Sequence, residues 1–292
     1  MKQLRYSFCY AERMSAQFTF RRSLRVILYM GLADVALKYR GAIGGYFWSL
    51  GKIALRFVVI FGVFGRYVAE AIPLYPLYLF LGLIVWEYCT ETISGCIAVV
   101  FQKKDLIQRV PMPRILLPLA MSWSNMLIFF SHLCIFCLLL FISSAPLSWG
   151  ILYIGVVTVH IFLLCTGIGL LLSAFAVQYR DVPHIWQVFQ QILFWLTPIF
   201  YPYRKQGVLF DEVVALPHRL KDISLEVLID LIIRFQPFAL LLHNVRRSLL
   251  YAREVGIPSV SHTIGLTCIV LGVFFIGAYV FSRRSRFFVE QY

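Results

Sequence analysis

Residues 115–142 read ILLPLAMSWSNMLIFFSHLCIFCLLLFI, an apolar run without a single Asp, Glu, Lys or Arg. Coiled as a helix at about 1.5 Å per residue, such a run crosses the ~30 Å hydrocarbon core of a bilayer. Similar runs lie on either side, so further spans are expected at 46–66, 76–100, 149–177, 185–201 and 262–282, six in all. The composition agrees: of 292 residues, 60% are hydrophobic and only 14% charged, where a soluble domain carries about 25% charge. Mean hydropathy is +0.79. Water cannot be the solvent for so much hydrocarbon surface. The same numbers exclude intrinsic disorder and a disulfide-stapled secreted module.

Ahead of the spans, the first 45 residues have no apolar core of a cleavable signal, and Lys2, Arg5, Arg13, Arg21, Arg22 and Arg25 crowd their first half. From Phe18 to Arg40, the residues Leu24, Ile27, Leu28, Leu32, Val35 and Tyr39 recur at helical spacing opposite Arg21, Arg22, Arg25 and Lys38. That balance predicts an amphipathic helix in the headgroup plane. Lysine and arginine also gather in the loop after the second span (Lys103, Lys104, Arg109, Arg114) and in the tail (Arg283, Arg284, Arg286). The positive-inside rule therefore puts both termini in the cytoplasm. The expected organisation is a cytoplasmic arm at 1–45, a six-span unit at 46–282 and a cytoplasmic tail at 283–292.

Within the six-span unit, residues 202–261 depart from the simple pattern. They hold eight basic and six acidic residues, yet Leu225–Leu250 is largely apolar and is interrupted at Gln236-Pro237. Two short helices broken at the proline are expected, dipping into the outer leaflet as a re-entrant pair. No internal repeat is visible, which weighs against a secondary transporter built from two halves.

Catalytic chemistry is hard to find. The nearest approach to a phosphate loop, Gly45 to Ile53, has its glycines one residue too far apart, and Lys52 is followed by Ile53 in place of Ser or Thr. The six histidines are scattered, and the Cys134–Cys137 pair sits among Leu and Phe without a second pair. No metal site is read, and the seven cysteines read as buried small hydrophobes. Any ATPase must be another chain.

Charges inside spans are functional candidates by default. Lys52 and Arg56 are i, i+4 in the first span, near its cytoplasmic end, where they either snorkel to headgroups or meet an anionic, lipid-linked substrate. Glu87 and Glu91 are i, i+4 in the second span and read as interhelical hydrogen-bonding or water-facing groups. Two stripes have the character of a conduit: Phe57, Phe61 and Phe64 in the first span, and Gln187, Gln190, Gln191, Phe194, Thr197 and Tyr201 in the fifth. Amides and hydroxyls interleaved with rings suit sugars; ordinary interhelical packing is the alternative for both.

Several elements occur together in a recognisable order. Asp34 precedes Lys38-Tyr39-Arg40; Gly44 and Trp48 open the first span; Gly82 and Trp86 lie in the second. A loop from Asp105 to Arg114 contains Pro111 and Pro113. Tyr179-Arg180-Asp181 precedes the fifth span, which closes on Phe194-Trp195-Leu196-Thr197-Pro198-Ile199-Phe200-Tyr201, and Gln236-Pro237 stands before Arg246. The chain resembles the membrane subunits of ABC-2 type exporters, above all those for O-antigen, capsule and teichoic acid polymers, along nearly its whole length. Arg180, Asp181 and Pro198, with Trp48, are the motif residues.

The resemblance implies a homodimer in the bacterial inner membrane, with two copies of a cytoplasmic ATPase that bind ATP and Mg, and no cofactor in this chain. It implies a coupling helix carried by Lys103, Lys104, Asp105, Arg109 and Arg114, and an interface helix contributing Asp34, Lys38, Tyr39 and Arg40. The outer gate would include Gln236, Pro237, Arg246 and Arg247, and the cargo would be a glycan on polyprenyl diphosphate; Lys52 and Arg56, read above from their charge alone, would be where that diphosphate enters. Two rivals stand beside it: an exporter of a small hydrophobic compound or lipid, and an integral-membrane enzyme acting on polyprenyl-linked sugars. The second would need an acidic or histidine-based site that the motifs do not supply.

Overall fold

The structure, a computed structural model, describes residues 20–41, 44–70, 72–110, 112–143, 149–201, 236–251, 256 and 258–285. The described residues are helical, without a strand: α1 (Phe20–Tyr39), α2 (Phe47–Val68), α3 (Tyr75–Gln102), α4 (Lys104–Arg109), α5 (Leu116–Ile142), a 3-10 turn (Trp149–Tyr153), α6 (Ile154–Ala176), α7 (Val182–Leu196), α8 (Pro237–Leu249) and α9 (Val260–Arg284). Helices satisfy every backbone group internally, which hydrocarbon demands. Five of them, α2, α3, α5, α6 and α9, are long and apolar enough to cross a membrane. The chain is thus a multi-pass helical protein whose main spans coincide with the apolar runs.

The fifth expected span is different. α7 has 15 residues and stops at Leu196, where 185–201 was expected to be one helix. Pro198 is the cause: a proline keeps its predecessor out of the helical region, and Thr197 takes an extended backbone at φ −80, ψ 132. Thr197 and Tyr201 therefore leave the helix face that carries Gln187, Gln190 and Gln191. At 149–177 the chain enters through the 3-10 turn before α6. Of the expected re-entrant pair, α8 starts at Pro237, with proline in its first turn where no N–H is missed; the preceding partner lies outside the described residues.

α3 is the centre of the bundle, packed by α2, α5, α6, α7 and α8. Of its central apolar window 72% is buried, against 11% for α2. α9 leans on α6 through a backbone approach in which a side chain at Gly277 would collide with Gly167. α1 lies against α5 in the same manner: a Cβ on Gly31 would stand 2.6 Å from Trp123 and 3.1 Å from the carbonyl of Ala120. Small residues at such crossings let helices meet where lipid gives no hydrophobic drive. Polar pairs tie helices as well: His160 Nε2 of α6 lies 2.8 Å from Thr267 Oγ1 of α9, and Ser173 Oγ of α6 donates to the Cys96 carbonyl of α3 at 2.8 Å. Cys89, Cys96 and Cys165 are buried as expected, but Cys134 and Cys268 are exposed and Cys137 is half-buried. The apolar helices leave those thiols on the outside of the bundle because lipid, unlike water, is an apolar neighbour.

Candidate functional site

Three polar constructions stand out, one in the middle of the bundle and one at each end. The middle one joins the basic pair of α2 to the acidic pair of α3. Lys52 Nζ lies 3.0 Å from Glu91 Oε1 and 3.6 Å from Glu87 Oε1, and Arg56 Nη1 lies 3.2 Å from Glu87 Oε2. A step of four residues along α2 matches a step of four back along α3, the register of two antiparallel neighbours. Lys38 of α1 completes the set, 3.1 Å from Glu91 Oε2. Lys52 and Arg56 are thus already held by carboxylates. Three cations face two carboxylates, so the cluster keeps one positive charge. Uncompensated charge at membrane depth is costly, and pairing is the general solution.

Beside this cluster is a recess lined by Lys38, Ser49, Glu87, Tyr88, Glu91, Asn125, Ile128, Phe129 and His132, with about 20 Å³ open to the centre of a water molecule. Ser49 Oγ and His132 Nε2 are 3.4 Å apart across it. Asn125 is 3% exposed, and neither end of its amide has a partner among the described residues. Asn125, Ser49 and His132 escape a reading of the sequence alone. Isolated polar residues in apolar runs are usually satisfied packing groups, and nothing in their spacing links them to Glu91.

At the α4 end, Lys103 Nζ reaches both oxygens of Asp34, at 2.7 and 2.6 Å. Two residues assigned to separate ATPase contacts are thus joined to each other. They pin α1 to the connection carrying α4, which holds Lys104, Asp105 and Arg109. Arg114 follows on the way to α5; burial lowers its guanidinium pKa, and it remains charged. Tyr39 is half-buried with its ring 5.8 Å from that of Tyr46, whereas Arg40, Arg180 and Asp181 are exposed. Trp48 is exposed at the start of α2.

At the opposite end stands a clamp on the turn after α7. Arg246, 3% exposed, donates from Nη1 to the Pro198 carbonyl at 2.5 Å and from Nη2 to the carbonyls of Ile199 at 2.7 Å and Tyr78 at 3.1 Å. Its guanidinium also lies 3.4 Å from the centre of the Tyr78 ring. The Tyr75 hydroxyl donates to the Phe200 carbonyl at 3.0 Å, and that of Tyr78 to the Tyr201 carbonyl at 2.9 Å. Four successive carbonyls, 198 to 201, are each taken by a side chain. Non-helical backbone in a membrane requires this. Gly82 makes the room: a Cβ there would be 2.5 Å from Arg246 Nη2. Gln236 Nε2 donates to Thr197 Oγ1 at 2.8 Å, and both residues are buried. Arg247 reaches the Gly256 carbonyl at 2.8 Å. Of the residues expected as a gate, Gln236 and Arg246 thus meet the start of α3 and the turn after α7, Pro237 opens α8 beside them, and Arg247 points instead to Gly256.

The two conduit stripes fare differently. Phe57 and Phe61 stack at 5.5 Å, Phe57 meets Phe80 at 5.7 Å, Phe61 meets Tyr75 at 6.0 Å and Phe64 meets Phe200 at 4.9 Å. These rings run along the seam between α2, α3 and the clamped turn, with Phe57 and Phe64 half-buried and Phe61 still exposed. Thr197 is 1% exposed and accepts from Gln236 within the bundle. The hydroxyl of Tyr201 turns back to the Leu196 carbonyl at 2.8 Å. By contrast, Gln187 and Gln191 are exposed, and Gln190 and Phe194 are half-buried on the same flank of α7. Arg56 lies 5.8 Å from the centre of the Phe194 ring, which brings that flank beside the basic side of α2.

Bundle and site together define a multi-pass membrane protein with paired charges in its middle and a polar flank on a short helix. The chain is 24% identical over 169 residues to the O-antigen export system permease protein RfbA of Myxococcus xanthus, a match covering 58% of this chain and 65% of that protein. Two RfbA permeases of Klebsiella pneumoniae match at 24% and 23% over 172 residues, with the same coverage of 58% and 65%. The match thus covers less than two thirds of the length of these relatives. No family model matches the chain. The similarity supports the ABC-2 type permease class to which the motifs point.

Proposed function

We propose that the chain is the channel-forming subunit of an ATP-driven exporter that moves a polyprenyl-diphosphate-linked polysaccharide, of the O-antigen, capsule or teichoic-acid type, across the bacterial cytoplasmic membrane. The observation that carries this reading is the amide flank of α7. Gln187 and Gln191 are exposed on a surface otherwise fit for lipid, next to the charged seam of α2 and α3. An amide in hydrocarbon is unfavourable unless it meets water, a second copy or a polar cargo. A homodimer supplies the rest of the wall, and the amides meet the hydroxyls of the sugar while Phe194 offers a ring to its C–H face.

In this reading α7 and the clamped turn 197–201 form the fifth of six spans, between α6 and α9, with both termini cytoplasmic. The arm at 1–45, the six-span unit at 46–282 and the tail at 283–292 keep the roles given above. The clamp makes the turn and α8 one body with α3, at the outer gate that residues 202–261 provide. α4 and α1 meet the ATPase, whose closure on ATP is carried into the bundle through rigid contacts. The chain itself does no chemistry: ATP and Mg belong to the partner subunit. Lys52 and Arg56, at the inner half of α2, meet the diphosphate.

The rival cargo, a small hydrophobic compound, has no use for amides. Replacing both, Gln187→Leu with Gln191→Leu, is expected to cut surface polymer by about thirtyfold, the scale of removing two hydrogen bonds worth about 1 kcal/mol each. The amount of protein in the membrane stays unchanged. The measurement is surface glycan per copy of protein, and undiminished export would contradict a sugar-lined flank.

A further inference from the structure

We propose that Lys38, Lys52 and Arg56 form a binding site for the phosphate groups of a lipid. In the structure Glu91 holds this site closed, and it swings toward Asn125 when the phosphate binds. The proposal rests on the export reading for the identity of the lipid but not for the existence of the site.

The two carboxylates are not equivalent. The Glu87 side chain is 11% exposed, bonded to Arg56 at 3.2 Å, and fixed in the seam. The Glu91 side chain is 36% exposed and shares its two oxygens between lysines from different helices, Lys38 on Oε2 and Lys52 on Oε1. Those lysines are themselves 36% and 54% exposed, open to an incoming group. A phosphate offers what Glu91 offers, oxygens on a compact anion, with more charge and more acceptors. It therefore competes for the same ammonium groups, and the surplus positive charge of the cluster favours it.

The displaced carboxylate also has a destination. Asn125 lines the recess that Glu91 lines, is 3% exposed and has no partner at either amide atom among the described residues. Its Nδ2 would stand 3.4 Å from a Cβ on Gly95, one helical turn from Glu91 along α3. A buried amide without a hydrogen bond has given up water and gained nothing in exchange, so it favours an arriving acceptor. An unpartnered Nδ2–H donor beside Gly95, one turn from Glu91, is what a carboxylate leaving two lysines requires. Glu91 thus has two positions, each with donors, and the phosphate selects between them.

The test uses the full-length protein in phosphatidylcholine nanodiscs, titrated separately with polyprenyl diphosphate, phosphatidylglycerol and inorganic diphosphate, with bound ligand counted by native mass spectrometry. Glu91→Gln removes the competitor and is expected to tighten lipid-phosphate binding about twofold to fivefold, the range of a partly exposed ion pair. Asn125→Ala removes the destination and is expected to weaken binding by a similar factor while leaving the ion pairs in place. If Glu91→Gln fails to fold, Glu91→Asp, whose shorter reach loosens both lysines, carries the test in the same direction. Binding no tighter in the Glu91 variants, or unchanged in Asn125→Ala, overturns the proposal, as does the same response to inorganic diphosphate alone with no lipid bound. Equal responses with phosphatidylglycerol and polyprenyl diphosphate uphold the site and count against its role in glycan export. A preference for polyprenyl diphosphate upholds both.

Discussion

Arg246→Met is expected to abolish export and to lower stability more than any other single change at the two ends of the bundle. Methionine keeps most of the stem's volume and removes the guanidinium. The carbonyls of Tyr78, Pro198 and Ile199 then lose the donors that Arg246 supplies at 3.1, 2.5 and 2.7 Å. With buried acceptors left unsatisfied, the loss is about 3–5 kcal/mol, even if water recovers part of it. Arg246→Lys should fall between wild type and Arg246→Met, because one ammonium cannot reproduce a planar fork that serves three acceptors. Gly82→Ala reaches the same failure by crowding, with its Cβ 2.5 Å from Nη2. Tyr78→Phe keeps the ring under the guanidinium and loses one hydroxyl bond, about 1 kcal/mol. Thermal unfolding in one detergent, alongside surface glycan, checks the order. An Arg246→Met protein that melts with the wild type would remove the clamp from the fold's supports.

Lys103→Glu tests the opposite end. The ammonium of Lys103 sits on both oxygens of Asp34; a carboxylate in its place repels Asp34 and lifts α1 from the connection to α4. The spans do not depend on this contact, so helix content and unfolding should remain near wild type. Transmission is expected to suffer: export falls about tenfold or more, the scale of a coupling free energy of 1–3 kcal/mol, while the partner ATPase continues to hydrolyse ATP. The exchange Asp34→Lys with Lys103→Asp should recover much of the loss, because the pair is restored with its sign reversed. Reversal at Arg109 leaves the Asp34–Lys103 pair in place, so it should not be rescued by the same exchange. ATP turnover and export measured on the same preparations separate the cases, and unchanged export in Lys103→Glu would contradict the pin.

The spans were legible because lipid leaves the sequence little choice: a run such as 115–142 can be satisfied only as a helix. The charged residues between two such runs marked a cytoplasmic loop, and a short helix there, now α4, was expected only from the family resemblance. Pro198 was visible too, but its effect was read as the end of a span, when it in fact turns the chain at Thr197 and takes two residues out of the α7 stripe. The charged seam was half legible. Lys52 and Arg56, and Glu87 and Glu91, each stood out as i, i+4 pairs on consecutive helices, and the antiparallel register that joins them was available from their spacing. The clamp was not legible, because its acceptors are backbone carbonyls, identical at every position, and its donors come from residues 75, 78 and 246. Likewise, Asn125 acquires meaning only from the recess it shares with Glu91.

Depleting the protein in its native cell, and measuring glycan on both sides of the membrane, decides the export reading. Polyprenyl-linked polysaccharide should accumulate inside the cytoplasmic membrane while the same polymer disappears from the cell surface. Loss of both pools would contradict this and point to a biosynthetic enzyme; if neither pool changed, the cargo would be a small hydrophobic compound and the polar flank of α7 would need another explanation.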